Sequence, residues 1–285
     1  MSTISRPRIA FIPFFMLQYL SNMKVKVPES HRTDGSAQKE FESLIRYTRR
    51  NCMLGIIGAM IEEVLHLKEA MEDVEIRTIA TMDFYQGRLK GLDVVVVRSG
   101  IGKVNAAICT QILVDDFNVD AVINTGIAGS LHDKIEIADV VLSEDVLHHD
   151  MDATGFGYPK GQIPRMDVLS FKADPGLVAL AKKACEAATP EIGIHTGRIV
   201  SGDQFVSDTE VKKRIVDDFA GLCTEMEGAA IAQTAHLNNI PFVIIRTISD
   251  KADNSATVDY PTFEKKAIAN EVKIVKKFCT YFNEL

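Results

Sequence analysis

The 285-residue sequence contains no tryptophan, and no basic stripe is interleaved with aromatics. A nucleic-acid platform is therefore not expected. Its five cysteines (Cys52, Cys109, Cys185, Cys223, Cys279) lie at least 38 residues apart, form no CxxC pair and are odd in number. This argues against a disulfide framework and for reduced thiols in a cytosol-like compartment. No apolar run reaches the roughly 18 residues of a membrane helix; the nearest, Ile9 to Leu20, is twelve residues broken by Pro13 and Gln18. Also missing are a GxxxxGK[ST] phosphate loop, a GxSxG elbow and HEXXH spacing. Gly100-Ile-Gly102 is not a dinucleotide fingerprint, because its third position is Asn105.

What is present is the composition of an ordinary globular protein, 46% apolar and 25% charged. Its length fits one large domain or two small ones. The net charge of −7 is unevenly spread. Residues 1–52 hold nine Lys/Arg and four Asp/Glu, a net of +5, which by subtraction leaves −12 for residues 53–285. An acidic body repels phosphate backbones. The first 52 residues read as an extension. Arg6 and Arg8 ahead of Ile9–Leu20 resemble the start of a targeting segment, but Ser21-Asn22-Met23 is not a small-x-small cleavage site. The competing reading is a poorly ordered appendix lying upstream of a start at Met53. Residues 28–40 read as linker, and Phe41 to Arg50 as one short helix.

From Met53 onward, short Val/Ile-rich runs alternate with amphipathic segments. Strands are expected at Met53–Met60, Leu92–Gly100, Asp120–Gly126, Asp139–Val146, Gly197–Gly202 and Pro241–Ser249. Their near-continuous apolarity predicts burial on both faces. Helices are expected at Glu62–Met71, Lys103–Phe117, Asp174–Ala188, Thr209–Phe219, Glu227–Leu237 and Phe263–Phe282. Asp174-Pro175 supplies an N-cap with proline at the first helical position, and Ser207 with Glu210 has capping-box spacing. The alternation predicts a single α/β domain over 53–285.

In open α/β sheets ligands bind beyond the carboxyl ends of strands. There the sequence places Gly58-Ala-Met-Ile-Glu-Glu63, Ser99-Gly-Ile-Gly-Lys103, Asn124-Thr-Gly-Ile-Ala-Gly129, Ser201-Gly-Asp-Gln-Phe205 and Ser249-Asp250. Tight strand-to-helix turns would also use these glycines. Carboxylates say more. Glu62 and Glu63 begin one predicted helix and Glu225 and Glu227 another, where first-turn acids are favoured in any case. Glu225 and Glu227 are two apart, so one of them is expected to face a site. Asp250 follows an apolar strand, where a buried acid keeps its proton. Three such carboxyls can divide the labour of general acid, general base and hydroxyl binder. His148-His149-Asp150 with Asp152 resembles a metal-ligand cluster, but adjacent histidines do not readily share one ion. Residues 150–164 read as a Gly/Pro-rich loop that folds over a ligand or a neighbouring subunit.

Gly55-Ile-Ile-Gly-Ala-Met60 with Glu62-Glu63-Val64, Ser99-Gly-Ile-Gly-Lys-Val104, Asn124-Thr-Gly126 with Ala128-Gly129, Phe156-Gly-Tyr158, Val200-Ser-Gly-Asp203 with Phe205, Glu225-Met-Glu227, and Arg246 with Ile248-Ser-Asp250 occur in a telling order. Residues 53–285 resemble, end to end, the bacterial methylthioadenosine/S-adenosylhomocysteine nucleosidase family; residues 1–52 lie outside the resemblance. It implies a single-domain nucleoside-phosphorylase-like α/β fold, with a central mixed β-sheet flanked by helices, and a homodimer acting on a thio-nucleoside, while the unpaired cysteines make a cytoplasmic location the expectation. The implied reaction is hydrolysis of the bond joining adenine to a 5'-thio-substituted ribose, with no cofactor, metal, nucleic acid or membrane.

By the same resemblance, Asp250 is the acid that protonates adenine N7, Glu63 activates water, Arg246 lies near that water and Glu227 holds the ribose hydroxyls. Phe205 stacks on adenine and the Val206 backbone reads its edge. Met60, Ile101, Met226 and Tyr260 match positions around the ribose and 5'-substituent, and Ala128 and Ser249 complete the substrate-binding set. Ala153, Phe156 and Pro164 match a contribution from the second subunit. Chemistry agrees, since departing adenine leaves an oxocarbenium-like sugar that needs negative charge nearby and a proton on the base. Two departures stand out. Ile127 replaces a hydroxyl residue found in some members, and Ile61 replaces the first acid of a Glu-Glu-Glu run. The competing readings are futalosine or 5'-deoxyadenosine hydrolysis, a phosphorolytic nucleoside phosphorylase, and a catalytically silent nucleoside-binding protein.

Overall fold

A computed structural model describes residues 52–284. The readings made for residues 1–51, a targeting or linker segment and a helix at Phe41 to Arg50, lie outside the described residues. In chain order the main elements are β1 (Met53–Gly58), α1 (Ile61–Lys68), β2 (Glu72–Ile79), β3 (Met82–Leu89), β4 (Leu92–Arg98), α2 (Lys103–Asp116) and β5 (Ala121–Ser130). There follow β6 (Val140–His148), a 3-10 turn (Thr154–Phe156), β7 (Phe171–Lys172), α3 (Pro175–Ala188), β8 (Ile194–Ser201), α4 (Thr209–Phe219), β9 (Cys223–Glu225), α5 (Gly228–Asn238), β10 (Phe242–Asp250) and α6 (Ala256–Asn283).

The strands form one mixed sheet. β5 and β10 are buried at every position, as their apolar sequences require of strands covered on both faces. They run parallel, from Phe242 beside Val122 to Asp250 beside Gly129. β5, β10, β6, β8 and β9 pair in turn, and β9 returns to β5, so these five strands close a ring. β1, β4, β3 and β2 extend from β5 as a wing. α2 packs on α5, while α3 and α1 pack on α6. Each fully buried Val or Ile contributes about 1.5–3 kcal/mol of transfer energy, and β1, β4, β5 and β10 are built largely of them.

The Asp174-Pro175 signal works as read. Asp174 caps α3, accepting from the Leu177 amide at 2.9 Å, with Pro175 in the first turn. Asn239 ends α5 in the left-handed conformation, at φ 55°. α4 is a correction: its cap is Asp208, whose Oδ1 accepts from Glu210 N and Val211 N, rather than Ser207.

Other differences have physical reasons. The hairpin β2–β3 was not expected. β2 faces solvent at nearly every position, so it lacks an apolar face, and its turn uses Ala80 and Thr81 at φ 50° and 63° instead of Asn-Gly. β5 does not end at Gly126 but continues four residues, through glycines that read as a loop, to pair with β9 at Gly129 and Ser130. α6 begins at Ala256, seven residues before Phe263, and runs through Pro261 near its start. Glu225 closes a strand and Glu227 is the N-cap of α5, so the two do not share a helix.

Candidate active site

The carboxyl ends of β1, β5, β9 and β10 converge on a group of buried acids around one arginine. β1 stops at Gly58, and the chain turns through Met60 into α1. Glu63 stands at the third position of that helix and reaches back to its cap. Its Oε2 accepts from Ala59 N (2.6 Å) and Met60 N (2.9 Å), and its Oε1 accepts from Ile127 N on β5 (3.3 Å). This is the capping-box use of a glutamate, but the carboxyl is only 2% exposed. Burial pushes its pKa up, while Arg246 and the three amides pull it down. Such a group is basic yet held in its ionised geometry.

Arg246 projects from β10 and is fully buried. Its Nη2 donates to Asn124 Oδ1 at 2.6 Å and to Glu225 Oε2, and lies 3.6 Å from Glu227 Oε2. Asn124 is itself fixed by donating to the Ile57 carbonyl at 2.9 Å. Glu225 is anchored by Ser201 Oγ and by the Gly228 amide (2.7 Å). Glu227 Oε1 accepts from Gly102 N at 2.8 Å, which ties the α5 cap to the glycine loop after β4. Burial and the neighbouring Glu225 push the Glu227 pKa up to about 7, against the pull of Arg246. Gly126, extended on β5, makes this crowding possible: a Cβ there would lie 1.9 Å from Arg246 Nη1 and 2.7 Å from Glu63 Oε1.

Asp250, at the end of β10, is buried as well. Ala252 N donates to its Oδ1 (2.8 Å) and Ser249 Oγ to its Oδ2 (2.9 Å). Burial raises its pKa above the ordinary aspartate value, with Asp259 and Asp253 adding to the shift. A Cβ on Gly129 would sit 2.8 Å from Asp250 Oδ1. Glu63 thus reaches β5 at Ile127 and Asp250 reaches it at Gly129. Two residues of strand separate these points by about 7 Å, so an acid and a base flank one short stretch of β5.

One wall is apolar. Phe205, 46% exposed, meets Tyr260 edge-on with ring centroids 5.8 Å apart. The Tyr260 hydroxyl reaches Met60 Sδ (3.3 Å) and Glu264 Oε1 (3.0 Å). Val206, Ala128 and Ser249 are buried, Met226 is half-buried and Ile101 is exposed beside the glycine loop. The structure therefore gathers Glu63, Arg246 and Glu227 in one cluster, Asp250 beside the same strand, and Met60, Tyr260 and Phe205 along one side. Ala153 is buried in its own segment, whereas Phe156 (86% exposed) and Pro164 face outward from it.

The expectation that Glu225 and Glu227 point to different sides of one helix is corrected: strand end and helix cap bring both to Arg246. Asn124 and Ser201 were placed at strand ends but given no role of their own, and Glu271 was not singled out. A glutamate within the apolar stripe Ala267-Ile268-Val272-Val275 was the available signal for Glu271. Among the described residues, no group of three or more His, Cys, Asp or Glu is arranged to hold a metal. His148 instead pairs with Gln233 Oε1 (3.0 Å), and Asp150 takes the Lys103 ammonium at 2.6 Å.

Residues 53–280 match the family model of the phosphorylase superfamily. A Shewanella sediminis protein named 5'-methylthioadenosine/S-adenosylhomocysteine nucleosidase is 46% identical over 215 residues, 75% of this chain and 93% of its own length. The chain belongs to the phosphorylase superfamily, among its methylthioadenosine/S-adenosylhomocysteine nucleosidases. A Neisseria meningitidis nucleosidase of that name, solved in complex with methylthio-immucillin-A, superposes with a TM-score of 0.78 at 41% identity, covering 80% of this chain and 99% of that one. The Colwellia psychrerythraea nucleosidase, solved with adenine, gives 0.77 at 41%, covering 80% and 94%. The mixed sheet flanked by helices is thus the nucleosidase fold expected from the sequence. No helix among the described residues is long and apolar enough to cross a membrane.

Proposed function

We propose that the chain hydrolyses the N-glycosidic bond of 5'-methylthioadenosine and S-adenosylhomocysteine, releasing adenine and the 5-thio-substituted ribose. The observation that carries this reading is the charge balance around Arg246: one guanidinium faces Glu225, Glu227 and Glu63. A phosphate nucleophile needs a cationic clamp, and here carboxylates would repel it. A neutral water molecule suits the cluster. Asp250, whose pKa burial raises, gives a proton to adenine N7 as the C1'–N9 bond breaks and its electron pair leaves with the base. Glu63 takes a proton from the water whose oxygen bonds to C1', and Arg246 orients that water. Glu227 accepts from the ribose hydroxyls, and its negative charge favours the cationic sugar. Phe205 and Val206 hold adenine, and Met60, Ile101, Ala128, Met226, Ser249 and Tyr260 line the remainder.

We assign the nucleosidase domain to residues 53–285 and regard residues 1–52 as an extension to it. A homodimer is the assembly we favour. Val104 and Ile108 on α2, with Ile101 in the loop before it and Leu237 on neighbouring α5, expose apolar surface, a face suited to a second copy. Segment 150–164 would then carry Ala153, Phe156 and Pro164 to the neighbouring 5'-substituent site. The free thiols fit a reducing cytoplasm. A substrate panel tests the reading: methylthioadenosine and S-adenosylhomocysteine should lose their base far faster than futalosine or 5'-deoxyadenosine, with the free purine of each substrate measured directly. Preference for either of the last two would overturn the assignment.

A further inference from the structure

One buried carboxyl near the site takes no part in the chemistry proposed above. Glu271 projects from α6 and is 1% exposed. Its Oε1 accepts the Gly126 N–H at 2.8 Å, and its Oε2 has no hydrogen-bond partner among the described residues. The next amide along β5, that of Ile127, goes to Glu63. Consecutive amides are therefore held by two carboxyls from two helices. Between them lies Gly126, the residue against which Arg246 and Glu63 press most closely. A shift of the Gly126 peptide would move the backing of both groups.

We infer that Glu271 is a positioning residue that, as a neutral acid, anchors the Gly126 amide and so fixes Glu63 relative to Arg246. Geometry supports the neutral form. Arg246 directs its Nη2 to Glu225, Glu227 and Asn124 and makes no ion pair with Glu271, and an ionised carboxylate buried without an ion-pair partner is strongly disfavoured. The titratable and charged groups facing Glu271 are Glu63 from α1, Arg246 from β10 and Cys185 from α3. Glu63 opposes a second negative charge, while Arg246 and the Gly126 and Thr247 amides favour one. Burial outweighs them and holds the carboxyl well above the usual range. A proton kept on Glu271 leaves Glu63 as the ionised member of the pair.

The kinetic part of this inference rests on the hydrolase reading, so the test has an arm that does not. Glu271→Gln keeps a carbonyl oxygen for the Gly126 amide and carries no charge; Glu271→Met fills a similar volume without that acceptor. Glu271→Gln should keep kcat and KM for methylthioadenosine within about twofold and leave the pH profile unmoved. Glu271→Met should lower kcat about 10- to 100-fold with a smaller change in KM. Infrared difference spectra of wild type against Glu271→Gln at neutral pH should lose a protonated-carboxyl C=O band. Equal kcat losses in both variants, a wild-type kcat in Glu271→Met, or loss of carboxylate bands alone would overturn the inference. If Glu271→Met does not fold, the Gln kinetics and the infrared band decide. Should the wild type release no adenine, the hydrolase reading fails and the infrared band still decides the protonation state.

Discussion

Replacing Gly126 with alanine is a severe test of the site's construction, because it adds one methyl group and nothing else. The backbone there is not in the left-handed region, so alanine introduces no conformational strain. The new Cβ would stand 1.9 Å from Arg246 Nη1 and 2.7 Å from Glu63 Oε1, against the 3.4 Å of ordinary contact. Neither group has room to withdraw, since Arg246 is 1% exposed and bonded to Asn124 and Glu225, and Glu63 is held by three amides. Overpacking of this kind costs about 1–3 kcal/mol, a melting shift of roughly 2–12 °C in a domain of this size. Activity should suffer more, because a misplacement near 1 Å costs about 100-fold. Adenine release followed spectrophotometrically, beside thermal unfolding of the same preparation, measures both. A Gly126→Ala protein with wild-type kcat and melting temperature would refute the proposed packing of Arg246 and Glu63.

Asp250→Asn should lower turnover about 10²–10⁴-fold with little change in stability, since an amide still accepts from Ala252 N; near-normal turnover would remove Asp250 from the acid's role. Glu63→Gln should also abolish turnover but cost about 1–3 kcal/mol of stability, because a neutral amide cannot accept on both sides from Ala59, Met60 and Ile127. Burial raises the pKa of both Glu63 and Glu227, so the acid limb of kcat/KM should lie well above the ordinary glutamate value of about 4.3. A limb at that ordinary value would contradict the buried cluster. Asp145 runs the other way: Arg198, Ser170 and Lys172 hold its pKa down at about 2. Its folded value is below the unfolded one near 3.9, so it stabilises above that pH and the contribution is lost as pH falls toward 2. Asp145→Asn should therefore melt lower than wild type at pH 7, with the gap closing in acid; a constant gap would contradict the linkage.

Much of this was legible in the residues because buried strands and helix caps leave local marks. The Val/Ile runs located β1, β4, β5, β6, β8 and β10, and Asp174-Pro175 marked the start of α3. The β2–β3 hairpin left no such mark, since β2 is bordered by solvent and its turn relies on Ala80 and Thr81. Glu63 and Asp250 stood out through position: an acid just after a buried strand has few reasons to be there other than capping or chemistry, and Glu63 caps as well. Glu225, Asn124 and Glu271 come together only through ring closure and the packing of α6, contacts separated by more than 100 residues from Arg246 or Gly126 in two cases. Local pattern has no access to such pairs. The turn reading of Gly126 to Gly129 failed for a related reason, because those glycines continue β5 and serve close approach by side chains from β10 and α1.

The central claim is that carboxylates around a single arginine select water over phosphate. Adenine release from methylthioadenosine, measured in phosphate-free buffer and again with added phosphate, tests it most directly. Full activity without phosphate, free 5-methylthioribose as the product and no acceleration on its addition are predicted. Strict dependence on phosphate, with a sugar 1-phosphate as the product, would contradict the account.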